Sequence, residues 1–156
     1  MSDELAQGKG PTDILEGTEQ FMRAAGQLNP EDIGFPMDYD HPLRVLRRRL
    51  IRSEFKEYMV LGEEQNNRVE VADGFIDTIV TAWGGMLAYF GPELSKILAG
   101  SVADSNLSKI LPDGSVLKDE GGKVRKDHQY YTPPEIPQIL DTWDYRYPKH
   151  VPLDHI

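Results

Sequence analysis

Apolar residues recur every three or four positions along most of this chain, which is the spacing of one face of an α-helix. The stretches with this spacing are residues 12–26, 42–62, 69–91 and 92–110. The last two are separated only by Gly91 and Pro92, a pair that interrupts a helix. The pattern therefore predicts an all-α fold, a bundle of four to five helices.

Residues that suit the start of a helix precede the first two stretches. Thr12 or Asp13 can cap the first helix, because a short polar side chain accepts hydrogen bonds from the free N–H groups of a first turn. Pro42 suits the first turn of the second helix, with Asp40 or His41 just before it. Both starts support the helical prediction.

The remaining segments carry turn signals instead of helical spacing. Residues 27–42 contain three prolines and predict an ordered loop that is long enough to have a function. Residues 111–128 hold two short runs around glycine-rich turns and predict a hairpin-like loop. Residues 130–156 are rich in proline and aromatic residues, which predicts an extended tail on the body or on a neighbouring subunit.

A chain of 156 residues fits one domain with its own core. The expected organisation is a mobile leader over residues 1–12, a helical domain over residues 13–110 and a C-terminal loop and tail over residues 111–156.

Composition excludes several classes of site and partner. The chain has no cysteine, so disulfides, thiolate zinc sites and cysteine nucleophiles are ruled out. The net charge is −9, with 26 acidic and 17 basic residues, which argues against binding to a nucleic-acid backbone. No membrane span or export signal is evident. We expect a soluble, cytoplasmic protein that binds soluble or cationic ligands.

Two carboxylates interrupt the apolar stripe of the second predicted helix. Glu54 and Glu57 are three residues apart and share a helical face with five apolar or aromatic residues, Leu43, Leu50, Ile51, Tyr58 and Leu61. A carboxylate buried there without a partner is costly. It should be protonated, paired with a cation or bound to a metal ion.

The third predicted helix carries a second group of acids. Glu70, Asp73 and Asp77 cluster on one side of the helical wheel. The same face continues with small residues, which are Gly74, Thr81, Gly84 and Ala88. Small residues allow another helix to approach, so both faces should be packed and the acids of the two helices should converge. A solvated face, or pairing with arginine, is the alternative.

An all-oxygen set of five acids favours a hard cation, Mg²⁺ or Mn²⁺. Mg²⁺ usually completes its shell with water and substrate phosphates, which points to phosphate-ester or anhydride chemistry. A di-iron bundle needs Glu-x-x-His pairs. No histidine in the chain follows a glutamate at that spacing, so a di-iron site is disfavoured.

The order of these motifs resembles the all-α nucleoside triphosphate pyrophosphohydrolases, the MazG-like and HisE-like group. The signature "ExxE…ExxD" matches Glu54 and Glu57 followed by Glu70 and Asp73. The segment "SNLSK" at residues 105–109 and the following "PDGSVLKDEGGKVRKDHQYYTPPEI" extend the resemblance over about residues 13–140 to phage and bacterial single-domain members.

The resemblance implies metal-dependent hydrolysis of a nucleoside triphosphate to a monophosphate and pyrophosphate. It implies Mg²⁺ or Mn²⁺ bound by the acids, with Glu54, Glu57 and Asp73 as catalytic residues and Glu70 and Asp77 completing the metal site. The candidates to hold phosphates are Asn106, Lys109, Lys123, Arg125, Lys126 and Tyr130 or Tyr131. Lys109 as a helix C-terminal cation, Asn106 as a cap and a solvated basic turn are the structural alternatives.

Base preference and assembly are also expected from the resemblance. Phage members suggest dGTP or GTP, with dUTP, dCTP or broad specificity as the alternative, and a phage-encoded chain would act in the host cytoplasm. Gln27 could recognise the base, because an amide is both donor and acceptor. Relatives assemble, so we expect a homodimer or homotetramer.

One position departs from the family pattern. Many relatives have two adjacent acids at the start of the first motif, whereas this chain has Ser53 before Glu54. Glu63 or Glu64 could replace the missing acid, or fewer ions could be used.

A non-catalytic helical oligomerisation or adaptor module is the rival interpretation. Its acids would be structural and would pair with five arginines, which are Arg44, Arg47, Arg48, Arg49 and Arg52. The spread of these arginines around the helix and the acidic whole chain favour intramolecular pairing and solvation over a nucleic-acid arm.

Overall fold

The computed structural model describes residues 13–148, and the predicted mobile leader, residues 1–12, lies outside this range. The fold is all-α, as predicted. The chain divides into two compact units at Pro92, so that the first unit ends there and the second begins at Glu93. This division falls inside the stretch 13–110 that the sequence pattern assigned to one helical domain.

The first two helices begin at capping residues that the sequence indicated. Helix α1 (Ile14–Ala24) is capped by Asp13, whose Oδ1 accepts hydrogen bonds from the backbone N–H groups of the first turn. Helix α2 (Pro42–Glu57) is capped by His41, whose Nδ1 accepts from the N–H of Leu43 at 3.2 Å. Of the two candidates at each start, the structure selects Asp13 and His41.

A single π-helical turn follows α2 directly and spans Tyr58–Glu63. A π-turn inserts one residue into the helical register and is typical of functional sites. The phenol of Tyr58 donates to Glu63 Oε1 at 2.6 Å across this turn. The helical path ends near Gly62, as predicted, but its last turn is wider than an α-helix.

Helix α3 (Arg68–Leu107) contains the predicted break at Gly91, where φ is 74° and ψ is 166°. Its first turn is capped by Asn67, whose Oδ1 accepts from the N–H groups of Val69 and Glu70. Residues 68–90 belong to the first unit and residues 93–107 to the second.

The core of the first unit lies between α1, the loop that follows it and α3. Its buried apolar side chains are Met22, Leu28, Trp83, Leu87 and Ala88. The loop of residues 27–42 is ordered against α3: Gly34 N–H donates to the carbonyl of Ala88 at 3.2 Å, and Phe35 packs edge to face on Tyr89. In the second unit, Leu94 and Leu98 are buried.

The second unit contains one element that the sequence pattern did not predict. Helix α4 (Ile136–Arg146) occupies part of the segment expected to be extended, so that prediction is wrong for these residues. The prolines in this segment concealed the helix, yet Pro137 lies in its first turn, where proline is compatible with helical geometry. Residues 149–156 of the expected tail lie outside the described range.

The predicted hairpin-like loop is two consecutive small turns. Antiparallel bridges join Ile110 to Val116 and Lys118 to Val124. Gly114 and Gly122 lie in these turns with positive φ angles of 83° and 82°. Within residues 13–148, no helix is long and apolar enough to cross a bilayer.

Candidate functional site

Four of the five predicted acids converge between α2 and α3. Glu54 and Glu57 lie on α2, and Asp73 and Asp77 lie on the first part of α3. Burial, followed by the charges of Glu57, Asp77 and Asp73, raises the pKa of Glu54. Burial, followed by Asp73 and Glu57, raises the pKa of Asp77. The four carboxylates therefore repel one another across the two helices.

Gly74 on α3 and Gly62 on the π-helical turn allow these two elements to approach each other closely. A Cβ added at Gly74 would lie 2.7 Å from Tyr58 Cβ and 2.8 Å from Tyr58 Cα, and one added at Gly62 would lie 3.0 Å from Val71. No larger side chain fits at Gly74, because it would meet backbone. The prediction that the acidic face of α3 packs against another helix is confirmed.

Glu70, the fifth acid, lies apart from the other four in its electrostatic effect. It is half-buried in the first turn of α3, where its backbone N–H donates a hydrogen bond to Asn67 Oδ1. Its charge is not among those that raise the pKa of Glu54 or Asp77. The structure thus separates a group of four acids from Glu70.

The four acids lack basic partners within residues 13–148. No lysine or arginine in this range forms an ion pair with them. Ser53 donates its hydroxyl to Glu57 Oε1 at 3.3 Å. The predicted alternative of pairing with arginine does not hold in this part of the chain, and Ser53 contacts one acid of the group.

The donor set suits a hard cation, although the side chains are not arranged around one. Carboxylate oxygens are the ligands that Mg²⁺ and Mn²⁺ prefer, and mutual repulsion would be relieved by a cation. Among the described residues, no three His, Asp or Glu side chains are grouped closely enough to hold a metal ion. Glu54 and Asp77 are half-buried, whereas Glu57 and Asp73 are exposed.

The apolar surroundings of the acids are more open than the helical wheels predicted. Ile51 and Leu61 of the expected stripe are 37% and 39% exposed, and Phe75, Ile76 and Ile79 on the far side of α3 are 46% to 53% exposed. The expectation that both faces of α3 are packed is therefore wrong for Phe75, Ile76 and Ile79 in a single chain. Further along the helix, Trp83 is buried as predicted.

The second unit brings together three of the predicted phosphate-binding residues and one tyrosine. Lys109 Nζ donates to Asn106 Oδ1 at 2.7 Å. Lys126 Nζ lies 4.5 Å from the ring centre of Tyr131. Interactions with Ser105 and then Lys126, together with the charge of Lys109, lower the pKa of Tyr131. Tyr131 is therefore the tyrosine that lies with the lysines.

The other predicted phosphate contacts are more exposed. Lys123 and Arg125 are exposed and use their backbone N–H groups in the second small turn, which bond Asp119 Oδ1 and the carbonyl of Leu117. Tyr130 is 43% exposed. These residues lie in the second unit, but hydrogen bonding does not fix their side chains as it does those of Asn106 and Lys109.

Gln27, the predicted base-recognition residue, contacts a buried arginine. Gln27 is exposed just after α1, and its Oε1 accepts from Arg47 Nη2 at 3.4 Å. Arg47 is only 6% exposed. Sequence reasoning missed it as a site residue, although helical spacing places it on the same stripe as Leu43, Leu50 and Glu54.

Two other arginines of α2 interact with aromatic rings and carbonyls instead of acids. Arg48 lies 3.7 Å from the ring centre of Tyr39 and donates to the carbonyl of that residue at 2.7 Å. Arg44 lies over Phe35 and Tyr39 and donates to the carbonyl of Met37. For Arg44 and Arg48, the predicted pairing with carboxylates is wrong, because the loop of residues 27–42 supplies other partners.

No protein-family model matches the chain, and no curated protein matches it in sequence.

Proposed function

We propose that this protein is a metal-dependent nucleoside triphosphate pyrophosphohydrolase, which cleaves a (d)NTP to a (d)NMP and pyrophosphate. One observation carries the proposal: Glu54, Glu57, Asp73 and Asp77 converge from two helices, where burial and the neighbouring carboxylates raise the pKa of Glu54 and of Asp77, and none of the four has a basic partner within residues 13–148. Carboxylates that are merely exposed to solvent on a protein surface gain no stability from lying close to one another. A divalent cation bound among these carboxylates would relieve their mutual repulsion.

The chain's own residues have distinct parts in this proposal. Glu54, Glu57 and Asp73 would act as catalytic ligands, with Asp77 beside them. Glu70, which lies apart from these four, is proposed as a further ligand on the resemblance alone. A bound Mg²⁺ or Mn²⁺ would supply neutralisation of phosphate charge and a water of lowered pKa. Ser53 would orient Glu57 through its hydroxyl. Tyr58 holds Glu63 at 2.6 Å, which disfavours Glu63 as the replacement for the missing acid.

Phosphate binding is proposed for the basic residues of the second unit. Asn106 and Lys109 are the best supported, because their side chains are held together at 2.7 Å. Lys126 is next, beside Tyr131. Lys123, Arg125 and Tyr130 are proposed on the resemblance alone. A cationic group that is already ordered loses less side-chain entropy when it binds a phosphate.

The proposed substrate is dGTP or GTP, and the proposed assembly is a homodimer or homotetramer in the cytoplasm. The exposed apolar side chains of residues 69–79 support self-association. Val69 is 71% exposed, Phe75 is 53% exposed, Ile76 is 49% exposed and Ile79 is 46% exposed. Large apolar surfaces of this kind mark protein interfaces.

The direct test is pyrophosphate release from all common ribo- and deoxyribonucleoside triphosphates, with Mg²⁺, with Mn²⁺ and with a chelator. The expected result is metal-dependent release that is fastest for a guanine nucleotide. Release that is fastest for dUTP or dCTP would support a housecleaning role instead. If no nucleotide releases pyrophosphate and Mn²⁺ does not change the melting temperature, the non-catalytic adaptor module would be favoured.

Alanine substitutions test whether the acids carry out the proposed reaction. Glu57→Ala and Asp73→Ala are expected to abolish turnover and to keep the helical circular dichroism spectrum, because both side chains are exposed. Glu31→Ala is the matched control, since Glu31 is an exposed acid of the same unit in the loop after α1. Near-full activity of either acid variant would contradict the assignment.

A further inference from the structure

Helix α4 has an apolar side that the described part of the chain covers only in part. None of its eleven residues is buried within residues 13–148. Ile139 and Trp143, two of its apolar side chains, are half-buried. A helix of this length is marginal in water on its own, so its stability depends on the packing of its apolar side. Part of that side remains available for a further contact.

An open cleft of about 270 Å³ runs along this side of α4, within the second unit. The residues of α4 and its cap that line the cleft recur at helical spacing, and they are Glu135, Gln138, Ile139, Thr142, Trp143 and Arg146. Helix α3 contributes Glu93 and Ile97, of which Ile97 is 43% exposed. The cleft therefore combines an apolar lining with charged residues, and a groove of this kind between two helices suits a segment of polypeptide chain.

The chain leaves α4 at this cleft. Tyr147, the first residue after the helix, departs from helical geometry with φ −129° and ψ 67°. Its ring packs on Trp143, with the ring centres 4.6 Å apart. Because Trp143 lines the cleft, this contact holds the start of the following segment at the edge of the cleft. That segment, residues 149–156, lies outside the described range.

The sequence of this segment, KHVPLDHI, suits an apolar cleft. Pro152 disfavours helical geometry at the residue before it, Val151, and so favours an extended chain. Val151 and Leu153 point to the same side of an extended chain, because successive side chains alternate. Two aliphatic side chains are thus presented together.

The segment is long enough to follow the cleft. From Glu135 to Arg146 the distance along α4 is about 16 Å, since an α-helix rises about 1.5 Å per residue. An extended chain advances about 3.3 Å per residue, so about five residues cover this length. If the chain reverses its direction over residues 147–150, residues 151–155 run back along the cleft.

We infer that residues 149–156 fold back and dock in this cleft of their own chain, with Val151 and Leu153 against its apolar lining. Basic Lys149 lies near acidic Glu93 where the segment enters. The segment of the same chain is favoured over that of a second copy, because its start is already tethered at the cleft and its effective concentration there is high. The inference does not depend on the proposed reaction, since the four acids belong to the first unit.

Introduced cysteines test this docking, because the natural chain contains none. The test pair is Thr142→Cys, in the cleft lining, with Val151→Cys, which keeps a small apolar side chain in the segment. In the matched control pair, Asp141→Cys replaces Thr142→Cys. Asp141 is exposed at the adjacent position of α4 and does not line the cleft. Disulfide closure with oxidised glutathione is followed as loss of free thiol at low protein concentration.

The test pair is expected to close about 10-fold to 100-fold faster than the control pair, because docking raises the effective concentration of its two thiols. A segment that does not dock would close both pairs at similar rates, since the two loops differ by one residue. Leu153→Asp, added to the test pair, should slow closure to the control rate, because it places a charge in an apolar contact. Leu153→Met should leave closure fast.

Quenching of tryptophan fluorescence by acrylamide gives a second readout that needs no cysteine. The chain has two tryptophans, and Trp83 is only 8% exposed, so a change in quenching reports Trp143. Leu153→Asp is expected to make Trp143 more accessible to acrylamide. Leu153→Met is the control and should leave the quenching as in wild type.

Each outcome decides for or against docking. Similar closure rates of the test and control pairs, or unchanged quenching in Leu153→Asp, would overturn the inference. Covalent dimers formed by the test pair at low protein concentration would assign the cleft to the segment of a second copy and also overturn it. Fast closure within single chains that is lost in Leu153→Asp and kept in Leu153→Met supports it, whether or not the protein releases pyrophosphate from a nucleotide.

Discussion

At Glu54, burial and three neighbouring carboxylates all act in the same direction on the pKa. An acid whose pKa is raised by folding destabilises the folded state at neutral pH, where it must be ionised among like charges. Glu54→Gln is therefore expected to raise the melting temperature in the presence of chelator. The same change should remove the stabilisation by Mn²⁺ that the proposed function requires, because an amide is a poorer ligand for a hard cation.

Differential scanning calorimetry with chelator and with Mn²⁺ measures both effects of Glu54→Gln. Glu31→Gln is the control, since it removes one exposed acid from the same unit without touching the group of four. Equal melting temperatures of Glu54→Gln and wild type in chelator would show that the carboxylates do not repel one another as the pKa directions indicate.

Tyr131 provides a prediction that depends on pH. Its pKa is lowered below the ordinary value of 10, first by Ser105 and then by Lys126. A depressed pKa means that the folded state loses the phenol proton first, so stability is gained as pH rises and is fully present above the unfolded pKa. On lowering the pH, this contribution is lost as the pH falls through the folded pKa.

Absorbance at the phenolate band should therefore detect a tyrosine that titrates early and that is missing in Tyr131→Phe. Ser105→Ala should move this titration upward. Urea unfolding at pH 8 and pH 10 should show that wild type gains stability relative to Tyr131→Phe at the higher pH. A gain of the same size in both proteins would contradict the prediction, and Tyr145→Phe, which changes a 91% exposed tyrosine, is the control.

Residue types and spacing predicted some site residues and concealed others. Acids at helical spacing on two neighbouring helices could be recognised because spacing fixes the face of a helix. Arg47 was overlooked because an arginine on an apolar stripe is usually extended toward water. Its burial depends on Gly84 and Met22, which are distant in sequence, so no local pattern reports it.

The approach of α3 to the π-helical turn is the element-scale feature on which the acid group depends. Gly74→Ala would place Cβ at 2.7 Å and 2.8 Å from Tyr58 Cβ and Cα. Backbone cannot yield as a flexible side chain can, so the helices must separate, with an expected loss of about 1–3 kcal/mol in the free energy of unfolding. Chemical denaturation measures this loss, and metal-dependent activity should fall with it.

Gly100→Ala is the matched control for Gly74→Ala. Gly100 is exposed on the same helix, and an added Cβ meets nothing within 4 Å. Alanine there should stabilise the protein by about 0.5–1 kcal/mol, because it has the higher helix propensity. If the two variants changed stability in the same direction, close approach at Gly74 would not be the cause.

Helices could be predicted from the sequence where the periodicity of apolar residues agrees with the positions of capping residues, glycine and proline. The break at Gly91 and the starts of α1 and α2 were all visible in sequence, since proline, glycine and capping residues act locally. The π-helical turn was not visible, because its contact with α3, between Tyr58 and Gly74, joins residues that are distant in sequence. Helix α4 was hidden by the prolines that surround it and by the short length of its apolar pattern.

At the scale of the whole molecule, a single chain leaves much of its apolar surface in contact with water. On the first part of α3, Val69 is 71% exposed, Ile76 is 49% exposed and Ile79 is 46% exposed. Helical spacing predicted Ile76 and Ile79 to be covered, and within the described part of the first unit, residues 13–92, no segment covers them. A second copy of the chain would cover them with the same residues, as two-fold interfaces do.

Ile76→Glu and Ile79→Glu are accordingly expected to shift the protein toward the monomer, because a charge in an apolar interface is left without a partner. Sedimentation equilibrium of wild type and variants measures the mass directly. Val102→Glu is the control, since Val102 is a similarly exposed apolar residue, at 39%, in the second unit. A wild-type protein that sediments as a monomer at all concentrations would reject self-association through α3, whereas dissociation by Ile76→Glu with loss of metal-dependent activity would show that the acids function only in the assembled protein.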